Sequence, residues 1–130
     1  MKKIIWKDEF NTNIDEIDKQ HRFLVNRINE LIELKIMKEE SANLYPILLL
    51  LVGYAQFHFE YEENLWSKLE VSDLAEHIEE HKKFSLAIDN FNELYINGTR
   101  DIDDELLIFL NRWWTSHILE KDLTSIKNKV

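Results

Sequence analysis

The sequence predicts an all-α fold: an up-down-up-down antiparallel four-helix bundle behind an irregular N-terminal arm. Three observations carry this expectation. Gly occurs twice and Pro once in 130 residues, so few positions interrupt a helix. Apolar residues recur at three- and four-residue steps through long stretches, while no Val- or Thr-rich alternating run competes for strand. The breaks between periodic segments are short, and short connections make consecutive helices antiparallel neighbours.

Taken in order, an arm covers 1–17 and a first helix covers 18–37, where Phe23, Leu24, Ile28, Leu31, Ile32 and the stem of Lys35 share a stripe. A second helix (41–69) starts between Ser41 and Pro46, because Pro fits a first turn and not an interior. Its run from Ile47 to Val52 is apolar on every face, which implies a central helix or contact with another subunit. Gly53 follows that run and is expected to mark a close backbone approach. A third helix (72–97) begins at the N-cap candidates Ser72 or Asp73 and ends before Gly98, placed as a C′ residue. A fourth (101–126) closes the chain, whose 130 residues are the length of one domain (1–130) without repeat or linker.

Composition narrows the function. Lys plus Arg number 16 against 25 Asp plus Glu, and the net charge of −9 repels phosphate backbones and anionic lipid, arguing against nucleic-acid or membrane partners. Cys is absent, so a metal would have to be held by His and carboxylate. The Met-Lys-Lys-Ile-Ile-Trp opening is cut short as a signal peptide by Lys7-Asp8-Glu9, and the longest apolar stretch (46–55) is half a bilayer span, so the expected location is cytoplasmic.

The five histidines then draw the eye. In HIEEH (77–81), His77 and His81 lie about 40° apart on one helix face and can converge on one ion. This is not the zinc-protease pattern, since Ile78 stands where its Glu would be. Alone the pair is weak, because solvated faces and hydrogen-bonded cores also carry His. However, His21, His58, His77 with His81, and His117 put at least one imidazole on every helix, and antiparallel alternation brings them to one end of the bundle. Their apolar neighbours Leu24, Phe57, Ile78 and Ile118 imply inward positions. Glu62 lies at i+4 from His58, on its stripe. Asp122 lies at i+5 from His117, about 140° round an α-helix, so a sideways reach or a π-type widening is needed to align them.

The motifs IDKQH (17–21), HFEYEE (58–63), HIEEH (77–81) and HILEKD (117–122) resemble hemerythrins, specifically single-domain bacteriohemerythrins. The resemblance covers nearly the whole chain, including Trp6 in the arm and Trp113 four residues before His117. It implies two irons joined by an oxo or hydroxo bridge and by the carboxylates of Glu62 and Asp122. One iron would take His77, His81 and His117; the other would take His21 and His58, leaving an open position for dioxygen. By the same analogy Leu24, Phe59, Trp113 and Trp114 line the pocket over the open iron. The chain departs from the family pattern at Trp114, where Leu is usual, and at Trp66, where Met is frequent.

The ligand chemistry is compatible with this. Imidazole and carboxylate suit iron, and also zinc and manganese. Five neutral imidazoles with two carboxylates favour the ferric pair less than the carboxylate-rich sites of di-iron oxidases, which predicts reversible O2 binding. The expected function is therefore a non-enzymatic carrier or store of O2, delivering it to a partner such as an oxidase. The alternatives are a di-iron enzyme (peroxidase, or NO or O2 reduction), a sensor acting through a partner, and a redox-inert zinc site.

Overall fold

The computed structural model describes residues 2–37, 44–99 and 101–127, so positions 41–43 of the expected second-helix start lie outside the described residues. The described chain is helical, with no strand among the described residues. Helix α1 spans Asp15–Ile36, α2 Leu44–Lys68, α3 Leu74–Ile96 and α4 Asp103–Arg112. Helix α4 runs without a break into a π-helical segment, Trp113–Asp122, and then into α5, Leu123–Lys127. The bundle is held by packing of α2 against α3 and α1, and of α1 against α4.

Helix α1 begins at Asp15, earlier than the expected Asp18, because Asp15, Glu16 and Asp18 together place acid in the positively polarised first turn. Asp18 is buried inside that turn and accepts 2.8 Å hydrogen bonds from the backbone N–H and the hydroxyl of Thr12, tying arm to helix. The arm is not wholly irregular: a 3-10 turn occupies Asp8–Phe10. Farther out, Asn29 pins Ile4 by a reciprocal pair of hydrogen bonds of 2.7 and 2.9 Å. Two helices end on left-handed C′ residues in the same motif. Gly98 (φ 101°) does so after α3, with Thr99 N–H donating to Leu94 at 2.8 Å and Gly98 N–H to Tyr95 at 3.2 Å. Glu70 (φ 55°) does so after α2, with Val71 N–H donating to Trp66 at 3.1 Å and Glu70 N–H to Ser67 at 3.2 Å.

Two expectations on local structure change. Asp73 stands at the N-cap of α3 but makes no capping hydrogen bond with its side chain; its carboxylate instead meets Ser125 and His77. Gly53 marks no close approach: a Cβ added there meets nothing within 4 Å. The apolar run of α2 buries Ile47, Leu48 and Leu51, while Leu49 and Leu50 are exposed in this chain.

The core comes in two parts. A large cluster runs through the middle of the bundle and includes Leu24, Leu48, Phe59, Phe84, Ile88, Leu110, Trp114 and Ile118. A small one, Ile17, Trp66, Val71 and Ile126, caps one end. Helical spacing makes the gap between them polar. One turn past Ile17 comes His21, one turn before Trp66 comes Glu62, and one turn before Ile126 comes Asp122.

Candidate metal centre

That polar layer collects all five histidines, Glu62 and Asp122, and every one of the seven is buried. Their apolar neighbours are a poorer guide than expected: Phe57, beside His58, is exposed, while His58 is turned inward. The ligand-capable atoms fall into two groups, His77, His81 and His117 in one and His21, His58, Glu62 and Asp122 in the other, each within 4.8 Å of one another.

The two carboxylates span the groups. Glu62 Oε2 lies 3.2 Å from His21 Nε2 and 2.9 Å from His58 Nε2, while its Oε1 lies 3.2 Å from His81 Nε2. Asp122 Oδ2 lies 3.5 Å from His21 Nε2, while its Oδ1 lies 3.4 Å from His77 Nδ1 and 3.1 Å from His117 Nε2. Asp122 reaches this place because the π-helical segment begins at Trp113 and ends at Asp122, spanning both His117 and the carboxylate. Bonding from i to i+5 widens the turn, so the i+5 pair that an α-helix would splay apart is brought onto one stripe. Of the two routes to alignment, the widened turn is the one present.

Burial and the two carboxylates set the electrostatics of this layer. Burial lowers the pKa of His21, but the neighbouring carboxylates of Asp122 and Glu62 outweigh it and hold the imidazole up to about 9. Burial works against His77 and His81 too, yet Asp122 raises the first and Glu62 the second. His58 goes the other way, its burial prevailing over Glu62. Burial opposes ionisation of both carboxylates, but His58, His21 and His81 hold Glu62 well below the usual range, and His117 and His21 depress Asp122. Three of the imidazoles are thus drawn toward the cation and both carboxylates toward the anion at a place where their lone pairs converge. Even so, Glu62 Oε1, both Asp122 oxygens, His81 Nε2, His117 Nε2 and His77 Nδ1 remain buried without a hydrogen-bond partner among the described residues. Unsatisfied acceptors facing unsatisfied imidazole nitrogens are costly in a core and are what a cation pair would satisfy, so the donor set fits imidazole- and carboxylate-binding divalent metals.

The pocket residues divide. Phe59 stacks on His81 with ring centroids 4.1 Å apart, and Trp113 stacks on His117 at 3.9 Å. Leu24 is buried in the main core cluster above the layer. Trp114 is buried as well, but its ring contacts are with Trp6 (5.9 Å) and Phe10 (5.2 Å) of the arm. Trp66 forms the floor, meeting His77 edge-on at 6.0 Å.

Sequence reading missed the partners on the far side of four of the five rings. Gln20 Oε1 meets His58 Nδ1, Glu63 meets His81 Nδ1 at 2.8 Å, Glu80 meets His117 Nδ1 at 2.8 Å, and Ser125 meets His77 Nε2 at 3.0 Å. Three lie beside a ligand or inside its motif, but nothing in the sequence separates them from the solvated acids around them. Tyr54 was also missed; it stacks on His58 at 4.8 Å, and its buried hydroxyl has no partner among the described residues.

A family model for the hemerythrin HHE cation binding domain matches residues 12–124. A bacteriohemerythrin of Clostridium acetobutylicum is 35% identical over 122 residues, covering 91% of this chain and 95% of its own length. One from Pseudomonas aeruginosa is 32% identical, covering 94% of this chain and 78% of its own length. Among solved structures, the fold is similar to two crystal structures of hemerythrin mutants. One has a TM-score of 0.85 at 24% identity and covers 99% of this chain and 98% of its own; the other has 0.82 at 25% and covers 95% of each.

Proposed function

We propose, from the premise that this chain belongs to the hemerythrin family, that it is a non-heme di-iron protein that binds dioxygen reversibly and stores, buffers or delivers it. The observation that carries this reading is that Glu62 and Asp122 each direct one oxygen to the His21/His58 side and the other to the His77/His81/His117 side, as two bridging carboxylates must. In this reading His77, His81 and His117 would hold one iron, and His21 and His58 would hold the other, where dioxygen would bind. An oxo or hydroxo group would complete the bridge. The iron pair, when bound, supplies the electrons that dioxygen takes up and gives back.

The protein supplies position and dryness. Buried partners such as Gln20 and Ser125 hold the imidazoles at fixed angles. The apolar plugs on either side of the layer keep bulk water away. We assign Leu24, Phe59 and Trp113 to the wall of the dioxygen pocket, with Trp114 closing it on the arm side. Among the described residues no helix is long and apolar enough to cross a membrane. A cytoplasmic site of action and an oxidase as recipient of the oxygen belong to the proposal.

The test is optical. Iron-loaded protein is reduced, exposed to air and deoxygenated through repeated cycles while its visible spectrum is recorded. A charge-transfer band that appears with air and vanishes on deoxygenation is the expected result. One-way oxidation with consumption of an added reductant would make the protein an enzyme, and failure to bind two irons per chain would remove the di-iron reading.

A further inference from the structure

The outer partners of the five imidazoles are distributed unevenly. On the three-histidine side each ring leans on a carboxylate. His81 Nδ1 meets Glu63 at 2.8 Å and His117 Nδ1 meets Glu80 at 2.8 Å. His77 Nε2 lies 3.2 Å from Asp73 and 3.0 Å from Ser125, whose hydroxyl donates in turn to Asp73 at 3.2 to 3.3 Å. On the two-histidine side there is no such charge. His58 leans on the neutral amide of Gln20, and His21 Nδ1 has no partner among the described residues. The carboxylates that do the leaning are half-buried, so their charge is only partly screened. Lys121 pairs with Glu80 from the solvent side and fixes its direction.

We infer that Glu63, Glu80 and Asp73 are positioning residues that make the three-histidine half the stronger metal site, so that this half fills first and holds its ion more tightly. The inference rests on the two-metal reading above. A carboxylate accepting the outer N–H of an imidazole pins the ring's tautomer and raises its basicity, and loss of such a partner costs about 10–100-fold in metal affinity. An amide gives the first effect without the second. The two shared carboxylates serve both halves alike, so they cannot create the difference. Three imidazoles against two contribute to it, which is why the test removes charge without touching a ligand.

Metal-free protein is titrated with zinc(II), a redox-silent probe, by calorimetry, with the imidazole resonances followed by NMR. In the wild type the first zinc should perturb His77, His81 and His117 before His21 and His58. Glu63→Gln and Glu80→Gln, which keep size and an acceptor oxygen, should each weaken the first step by about 10–100-fold while the second changes by no more than about threefold. The converse variant moves charge to the other half. Glu16 accepts a 3.2 Å hydrogen bond from Gln20, so the pair Glu16→Gln with Gln20→Glu keeps that contact and puts a carboxylate behind His58. It should tighten the second step and narrow the gap. Equal weakening of both steps by the Glu63 and Glu80 variants, or no change in either, overturns the inference, as does an unchanged gap in the exchanged pair. A wild type that binds fewer than two zinc ions would instead remove the two-metal reading on which the comparison depends.

Discussion

Replacing Asp122 by Asn preserves the side chain's outline and removes a charge that lies within 3.5 Å of His21, His77 and His117. If Asp122 joins the two halves, Asp122→Asn loses or halves iron loading, read as iron per chain and in the visible spectrum. Two irons per chain with an unaltered spectrum would leave Asp122 as a buried partner of imidazoles and nothing more. At this scale the inner residues are legible because their spacing is dictated by chemistry: imidazoles that share an ion must recur at i+4 or arrive at one depth from different helices. The residues behind them are not. Glu63 and Glu80 stand in a chain with 25 acids, and only the rotation of α2 and α3 decides which of those acids turns toward a ring.

Elements have their own tests. Glu70 holds a left-handed conformation after α2 (φ 55°), where a Cβ is penalised and Gly is not. Glu70→Gly should stabilise the protein by about 1 kcal/mol, seen as a higher midpoint in urea. A lower midpoint would show that the exposed Glu70 side chain contributes more than its backbone costs. Trp114 belongs to another element contact, the one between the π-helical segment and the arm, where it packs against both Trp6 and Phe10. Trp114→Leu should cost about 1–3 kcal/mol through lost packing and admit azide to the loaded centre faster. A loss of stability with azide rates unchanged would assign Trp114 to the arm seam alone. The four helices could be read from periodicity, since apolar stripes and the C′ glycine Gly98 act locally. Gly53 misled because a helical glycine has two causes, a close backbone or an unoccupied face, and only three-dimensional packing separates them. The start of α1 shifted because acids can sit inside a first turn as well as ahead of it.

For the whole molecule, the polar layer between two apolar plugs couples metal, protons and stability. In the metal-free protein His21, with a folded pKa of about 9, and His77 and His81, also raised, are favoured as cations by Glu62 and Asp122. A group whose folded pKa exceeds its unfolded value of about 6.5 contributes fully below that value and loses its contribution as pH climbs through the folded pKa. The carboxylates are depressed on folding, so their contribution is present above about pH 4 and lost as pH falls. Burial-lowered His58 adds to the acid-side loss, because it must take up a proton there on unfolding. The metal-free protein should therefore be most stable in mildly acid solution and lose stability between about pH 6.5 and 9. Metal acts in the opposite sense: it requires neutral imidazoles, releases their protons on binding, and supplies the positive charge that pH removes. The melting temperature gained on loading zinc or iron should be larger at pH 9 than at pH 6, with chelator returning each sample to its metal-free value. Thermal melts of the two forms across this range decide the matter. A gain independent of pH, or a metal-free protein that becomes more stable from pH 6.5 to 9, would mean that the seven buried side chains do not exchange protons for metal.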